Sequence, residues 1–189
     1  WLQVEGLFGS EGIMPVERYF DRLAVQENPW SYILRYPSLL WLDYFLNLGG
    51  SFLHTLCGVG VVLSILALFN WYRGISLLLS WIFYLSLVTL GSPFFSFQWD
   101  NLLLETGFLA IWMAGFRKRD QKPSLLILLL TFLLLFRLMF FSGYVKLASN
   151  DPVWWNITAL GHHFETQPLP HLLSWYFHQL PTIILKVSI

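Results

Sequence analysis

The stretch SLLILLLTFLLLFRLMFFSGYV, residues 124–145, decides the fold because a single charged residue, Arg137, interrupts its apolar run. Its length matches the roughly 20 residues with which a helix crosses a bilayer core. Similar apolar stretches precede it at residues 52–70, 75–91 and 96–116. The sequence therefore predicts an all-α fold, a polytopic helical membrane bundle with four spans over residues 51–146.

The composition supports a membrane protein and excludes other classes. Charged residues make up 12% of the 189 residues, about half of the roughly 25% that is typical of soluble domains. This scarcity excludes an ordinary soluble domain and a disordered chain. The net charge is zero and no basic patch is large enough to follow a phosphate backbone, so we expect no nucleic-acid partner. The lipid bilayer is the expected partner of the spans.

Positive charges predict the sidedness, because cytoplasmic loops carry an excess of Lys and Arg. The densest basic cluster, RKRDQK at residues 117–122, is expected on the cytoplasmic side, and Arg73, in the turn two spans earlier, agrees with it. Residues 1–50 and 147–189 are then extracytoplasmic. Because the chain begins at Trp1 and ends in a new apolar run, we interpret it as an internal fragment whose last segment starts a truncated domain.

Short helices are predicted outside the spans. Residues 16–24 place apolar side chains at helical spacing, with charges on the other face. Such an amphipathic helix lies on the outer membrane surface or packs on the bundle. Residues 37–47 predict a second short helix ended by Gly49 and Gly50, and Pro93 is expected to interrupt the second span. Residues 182–189 predict either another span or a domain strand.

Two charges inside the apolar stretches are the most informative side chains. Glu105 and Arg137 each cost roughly 2.5–3.5 kcal/mol or more on insertion scales. At about 1.5 Å per residue, Glu105 lies about 6 Å below Asn101 and Arg137 about 13 Å below Lys146. We therefore predict a Glu105–Arg137 ion pair, with Lys146 as a competing partner. The pair is either a salt bridge that locks the bundle or a proton or substrate site.

Other polar residues near the predicted outer side are candidates for a helix cap, an acid pair or a metal site. Asp100 is expected to cap the start of the third span and to meet the positive end of its dipole. An acid pair with Glu105 is the alternative, although residues five apart do not share a helix face. The run HHFE at residues 162–165 matches no established zinc motif, and His171 and His178 share a face only if their segment is helical. We predict no metal, no cofactor and no catalytic residue.

Two stretches resemble the lipase maturation factor family. The first is FQWDNLLLETGFL at residues 97–109. The second combines RLMF at residues 137–140 and SGYVKL at residues 142–147 with the specific run HFETQPLP at residues 163–170. The opening segments, GLFG at residues 6–9 and GIMP at residues 12–15, also look like that family's first loop.

The resemblance implies an integral protein of the endoplasmic reticulum membrane, or of the inner membrane if the source is bacterial. Members of the family assist the folding and assembly of secreted dimeric lipases, so the resemblance implies client lipases as partners and a chaperone-like role rather than catalysis. His163, Glu165, Thr166 and Gln167 lie in the segment expected to dock a client or another domain.

A membrane enzyme is the alternative function. It would belong to the superfamily that includes the vitamin K-dependent carboxylase, with Glu105, Lys146 and His163 as acid–base groups at the outer mouth of the bundle. That likeness is at the level of the fold, which argues weakly for function. Independently of either function, Asn156 begins an Asn-Ile-Thr glycosylation sequon, which matters if the compartment is eukaryotic and secretory.

Overall fold

The computed structural model describes residues 2–24, 29–46, 48, 50–91, 94–115, 122–167 and 171–188. The regular elements in these residues are α-helices, which confirms the predicted all-α class. In chain order they are α1 (Val4–Phe8), α2 (Val16–Ala24), α3 (Pro29–Arg35), α4 (Leu40–Leu46), α5 (Ser51–Leu68), α6 (Arg73–Leu90), α7 (Gln98–Ala114), α8 (Leu125–Ala148), α9 (Pro152–Trp155), α10 (Ala159–Thr166), α11 (Ser174–His178) and α12 (Thr182–Val187). The chain forms two compact units, residues 1–131 and 132–189.

The long helices make the chain an integral membrane protein. Within the described ranges, α5 and α6 with 18 residues each and α8 with 24 are long and apolar enough to cross a bilayer. Helix α7 has 17 residues, which is near the lower limit of the roughly 17–25 that a span needs. The fourth crossing therefore stays a prediction. Gly49, Pro93 and residues 116–121, which hold most of the basic cluster, lie outside the described residues.

A tight turn joins α5 to α6. Asn70 and Tyr72 have φ angles of 66° and 45°, in the left-handed region that non-glycine residues rarely adopt. The N–H of Trp71 donates to the carbonyl of Leu66 at 2.9 Å, and the Ser76 hydroxyl donates to the carbonyl of Trp71 at 3.1 Å. A connection this short makes the two apolar helices antiparallel neighbours, and α5 packs along α6.

Helix α6 packs closely against α7 on another side. The indole N–H of Trp81 donates to the carbonyl of Leu104 at 2.8 Å. A Cβ atom at Gly107 would lie 3.0 Å from Cδ1 of the same indole. Because glycine has no side chain at this point, the Trp81 ring can lie directly on the backbone of α7.

The helices before α5, which the sequence predicts to be extracytoplasmic and which we call the outer segment, pack on α5 and α6. Helix α2 turns its apolar face inward, and Phe20 is 0% exposed, with its ring 4.0 Å from that of Trp41. The other buried members of this cluster, called the outer core, come from α1, α2, α4, the N-terminal end of α5 and the C-terminal end of α6: Val4, Phe8, Val16, Leu40, Leu53, Leu56 and Leu90. Of the two alternatives for residues 16–24, the structure therefore supports packing on the bundle.

Several boundaries differ from the sequence prediction. The second outer helix begins at Leu40 rather than residue 37, because residues 37–39 bond to α6 instead of continuing a helix. The Ser38 hydroxyl donates to the carbonyl of Ser86, and the Ser86 hydroxyl accepts from the N–H of Leu39, each at 3.0 Å. Helix α3 was not predicted. The strand alternative for residues 182–189 is wrong, since Thr182–Val187 is helical.

Candidate functional site

Asp100 is a buried carboxylate in the first turn of α7. It is 4% exposed, and its Oδ1 accepts a hydrogen bond of 2.7 Å from the hydroxyl of Tyr84 on α6. The predicted cap is wrong: Phe97 is the N-cap residue, and the Asp100 carboxylate bonds to Tyr84 instead. The position in the first turn still favours a negative group through the helix dipole. Among the described residues, Oδ2 of Asp100 has no hydrogen-bond partner.

Glu105 and Arg137 lie on the helices that the sequence assigned to them. Glu105 is half-buried on α7, and Arg137 is exposed on α8. Exposure on an apolar helix of this kind means exposure to lipid or to further protein, where a guanidinium requires a partner. The Glu105–Arg137 ion pair stays a prediction, and so does the alternative acid pair of Asp100 and Glu105.

Lys146 lies in the last turn of α8, at the C-terminal end of the span as the sequence predicted. Its Nζ lies 4.5 Å from the centre of the Trp154 ring on α9, in a cation–π contact. Helix α9 starts at Pro152, and the Asp151 side chain caps it by accepting from the N–H of Val153 at 2.9 Å. The end of the span and the first outer helix of this unit are thus joined by a cation on an aromatic face.

The run HFETQPLP, residues 163–170, is called the family-like run below. Its HFETQ part lies on α10 and at the C-terminal cap of that helix, and side chains hold it to α11. Nε2 of Gln167 donates to the hydroxyl of Ser174 at 2.6 Å. Oε1 of Glu165 lies 3.4 Å from Nε2 of His178, within ion-pair distance when the imidazole is protonated. The rings of Phe164 and Phe177 stack with centres 6.2 Å apart. These contacts, together with those of α12 on α10, make α10, α11 and α12 one small packed layer, which we call the α10–α11 layer.

The remaining predicted residues of this segment are placed on its surface. Thr166 donates its hydroxyl to the carbonyl of His162 on its own helix at 2.8 Å. His163 is exposed, with its ring centre 5.9 Å from that of Phe164. His171 precedes α11, so the face it would share with His178 is not formed. In the described part of the chain, no group of three His, Cys, Asp or Glu side chains could hold a metal ion.

The groups required by the alternative enzyme have different neighbours. Lys146 contacts the ring of Trp154, whereas His163 contacts that of Phe164. Asn156 of the glycosylation sequon is exposed at the end of α9. Lys146, Gln167 and Glu165 thus make contacts between neighbouring helices, whereas His163 and Asn156 are exposed.

Three partners were missed by sequence reasoning, namely Tyr84, Ser174 and His178. Tyr84 was overlooked because its apolar ring fits a span, although a hydroxyl inside an apolar helix signals a polar partner nearby. The sequence suggested only His171 as a neighbour of His178. The contact of His178 with Glu165 joins residues that are 13 apart and lie on two different helices, so no helical spacing predicts it. These contacts depend on how the short helices fold back on one another.

Comparison with known proteins identifies the family. The model of the lipase maturation factor transmembrane domain matches residues 1–189. The chain belongs to the lipase maturation factor family. Lipase maturation factor 2 of Xenopus laevis is 43% identical, over 100% of this chain and 28% of the relative. Human lipase maturation factor 2 is 39% identical, over 100% of this chain and 29% of the relative. Human lipase maturation factor 1 is 30% identical, over 95% of this chain and 33% of the relative.

The predicted resemblance to lipase maturation factors is thus confirmed. The chain spans under a third of the length of the lipase maturation factor 2 relatives that it matches. No solved structure matches it. The whole-chain match covers the outer core, the long helices and the α10–α11 layer alike, so all of these elements belong to the family's transmembrane domain.

Proposed function

We propose that this chain is the membrane part of a lipase maturation factor, a chaperone-like protein that assists secreted lipases to reach their active form. The observation that carries the proposal is the match of the family's transmembrane domain to residues 1–189. The relatives are named for lipase maturation. On this proposal the long helices anchor the protein, and the small packed layer of α10 and α11 presents the family-like run to a client or to a neighbouring domain.

Co-expression with a secreted dimeric lipase tests this function. In cells that lack their own maturation factor, the full-length protein is expected to raise the specific activity of the secreted lipase. An effect on lipase mass alone, with specific activity unchanged, would contradict a role in maturation. A soluble secreted enzyme that is not a lipase serves as the control for general effects on secretion.

The role of the docking segment is tested separately from its stability. His163 is exposed, so we expect His163→Ala to lower lipase activation while leaving thermal unfolding unchanged. Gln167→Ala removes the bond to Ser174 and is expected to lower both. Thr182→Ala, a change of an exposed residue on α12, is the matched surface control. Normal lipase activation by the His163→Ala variant would argue against docking through the exposed surface of α10 around His163.

We further propose that Glu105 and Arg137 form an ion pair that locks the helices, with Lys146 outside the pair. Support comes from their estimated depths, which differ by about 7 Å, within reach of two long side chains, and from the cation–π contact that already engages Lys146. A charge swap tests this. Glu105→Arg and Arg137→Glu are each expected to abolish activation, and the double swap is expected to restore it. Failure of the double swap in a protein that still folds would favour a chemical role instead.

The proposed orientation places residues 1–50 and 147–189 on the extracytoplasmic side, which in a eukaryotic cell is the lumen of the endoplasmic reticulum. The support is the positive charge of residues 117–122 and of Arg73. In sealed microsomes, an impermeant maleimide is expected to label Lys122→Cys directly and Glu11→Cys only after permeabilisation. The opposite labelling pattern would reverse the topology. Cys57→Ser supplies the background.

A further inference from the structure

Helix α11 has two faces of different character. Ser174, Phe177 and His178 lie on the face that packs on α10, through the contacts to Gln167, Phe164 and Glu165. At 100° per residue, Trp175 and Tyr176 fall on the opposite face. They are 66% and 65% exposed, and Leu172, in the turn before the helix, is 92% exposed. We call Leu172, Trp175 and Tyr176 the outer aromatic face.

The chemistry of this face is that of side chains found at the boundary of a bilayer. Trp and Tyr combine an apolar ring with a polar group and are enriched where membrane meets water. The two rings are set edge to face with centres 5.1 Å apart, so they form one apolar surface. Among Asp, Glu, Lys and Arg, residues 171–189 contain only Lys186. Such a scarcity of charge favours contact with the bilayer over a fully hydrated protein surface.

The face also follows closely on the end of a helix long and apolar enough to cross the membrane. Helix α8 has 24 residues, none of them buried, and is about 36 Å long, so it exceeds a hydrocarbon core of about 30 Å. Its last turn, with Lys146, therefore lies at headgroup level. Lys146 contacts Trp154 of α9, and only three residues separate the end of α8 from the start of α9. The segment that leads through α9 into the α10–α11 layer thus begins at the membrane surface.

We propose that the outer aromatic face inserts into the headgroup region of the bilayer and holds the α10–α11 layer against the membrane. Helix α11 lies on the lipid, and α10 lies above it with its far side in water. The lipid surface itself is the partner, so this interaction needs no client lipase. Its effect is to fix the height and tilt of the family-like run on α10 relative to the membrane.

Fluorescence quenching by spin-labelled lipid tests the insertion. The full-length protein, with Cys57 and every cysteine outside residues 1–189 replaced by Ser, is reconstituted in phosphatidylcholine vesicles without lipase. An environment-sensitive fluorophore is attached at Leu172→Cys, or at His162→Cys as a matched control. His162 is exposed and lies two residues before Phe164, on the side of α10 away from α11. A lipid with a nitroxide near the headgroup is expected to quench the label at residue 172 several-fold more than the label at residue 162.

Further outcomes decide the identity of the occupant. Trp175→Ser combined with Tyr176→Ser is expected to reduce quenching at residue 172 towards that of the control, while the melting temperature stays unchanged. Equal quenching at residues 172 and 162 would overturn the proposal. A label at residue 172 with blue-shifted emission but no quenching by lipid would also overturn it, because a protein surface would then cover the face. None of these results depends on lipase activation, so failure here leaves the proposed function to its own test.

Discussion

Replacing Phe20 with alanine tests whether α2 is part of a folded outer core. Phe20 is fully buried, and its ring centre lies 4.0 Å from that of Trp41 and 5.2 Å from that of Tyr44. Phe→Ala changes in cores cost about 3–5 kcal/mol, and close aromatic pairs add about 0.5–1.5 kcal/mol beyond area burial. We expect Phe20→Ala to cost about 4–5 kcal/mol, or about 8–20 °C in melting temperature for a chain of this size.

The assay uses the one cysteine of the sequence. Cys57 is half-buried on α5 beside the outer core, so a thiol-reactive dye reports unfolding of detergent-purified protein on heating. Ile13→Ala, at a position that is 72% exposed, is expected to change stability by less than about 0.5 kcal/mol. The reasoning is refuted if Phe20→Ala lowers the melting temperature no more than Ile13→Ala. That result would mean that the apolar face of α2 rests in lipid.

Three further changes probe other contacts. Tyr84→Phe removes the hydrogen bond to buried Asp100 and is expected to cost about 1–3 kcal/mol in the same thermal assay. Gly107→Leu would force Trp81 away from α7 and is expected to cost about 1–3 kcal/mol through overpacking. Burial, and then a hydrogen bond to a carboxylate, raises the pKa of Tyr44. Its contribution to stability is therefore full below its ordinary pKa near 10 and is lost as pH rises through the raised value, so Tyr44→Phe should flatten the alkaline loss of stability.

Matched controls separate these effects from general damage. Tyr144→Phe changes an exposed tyrosine on α8 and should leave the melting temperature unchanged. Gly58→Leu adds a side chain where a Cβ meets open space, so it should be tolerated far better than Gly107→Leu. Equal effects of the two glycine changes would contradict close packing at Trp81. A loss of stability at alkaline pH that is identical with and without the Tyr44 hydroxyl would remove the role assigned to it.

The long helices were predictable because the signal is local. A run such as residues 124–145 is apolar on every face, and no tertiary contact is needed to recognise it. The amphipathic pattern of residues 16–24 gave the bounds of α2 for the same reason. It did not show what covers the apolar face, because lipid and a protein core accept the same side chains.

Polar partners were harder to predict because they depend on distant parts of the chain. Asp100 looked like a helix cap by its position, yet its hydrogen-bond partner lies 16 residues earlier on another helix. The start of α4 was misplaced because Ser38 and Leu39 bond to Ser86, which lies 48 and 47 residues further along the chain. Such pairings follow from how helices are brought together, and a single sequence does not record that arrangement.

Ser86 has a mechanical consequence for the outer segment. Its hydroxyl donates to Ile82 within α6 and accepts from Leu39, while its carbonyl accepts from Ser38. These hydrogen bonds attach the outer segment directly to the side of α6, in addition to its covalent connection through the chain. A change in bilayer thickness that tilts α6 would carry the outer core with it. The physical state of the lipid would in this way reach the helices that precede the first membrane helix.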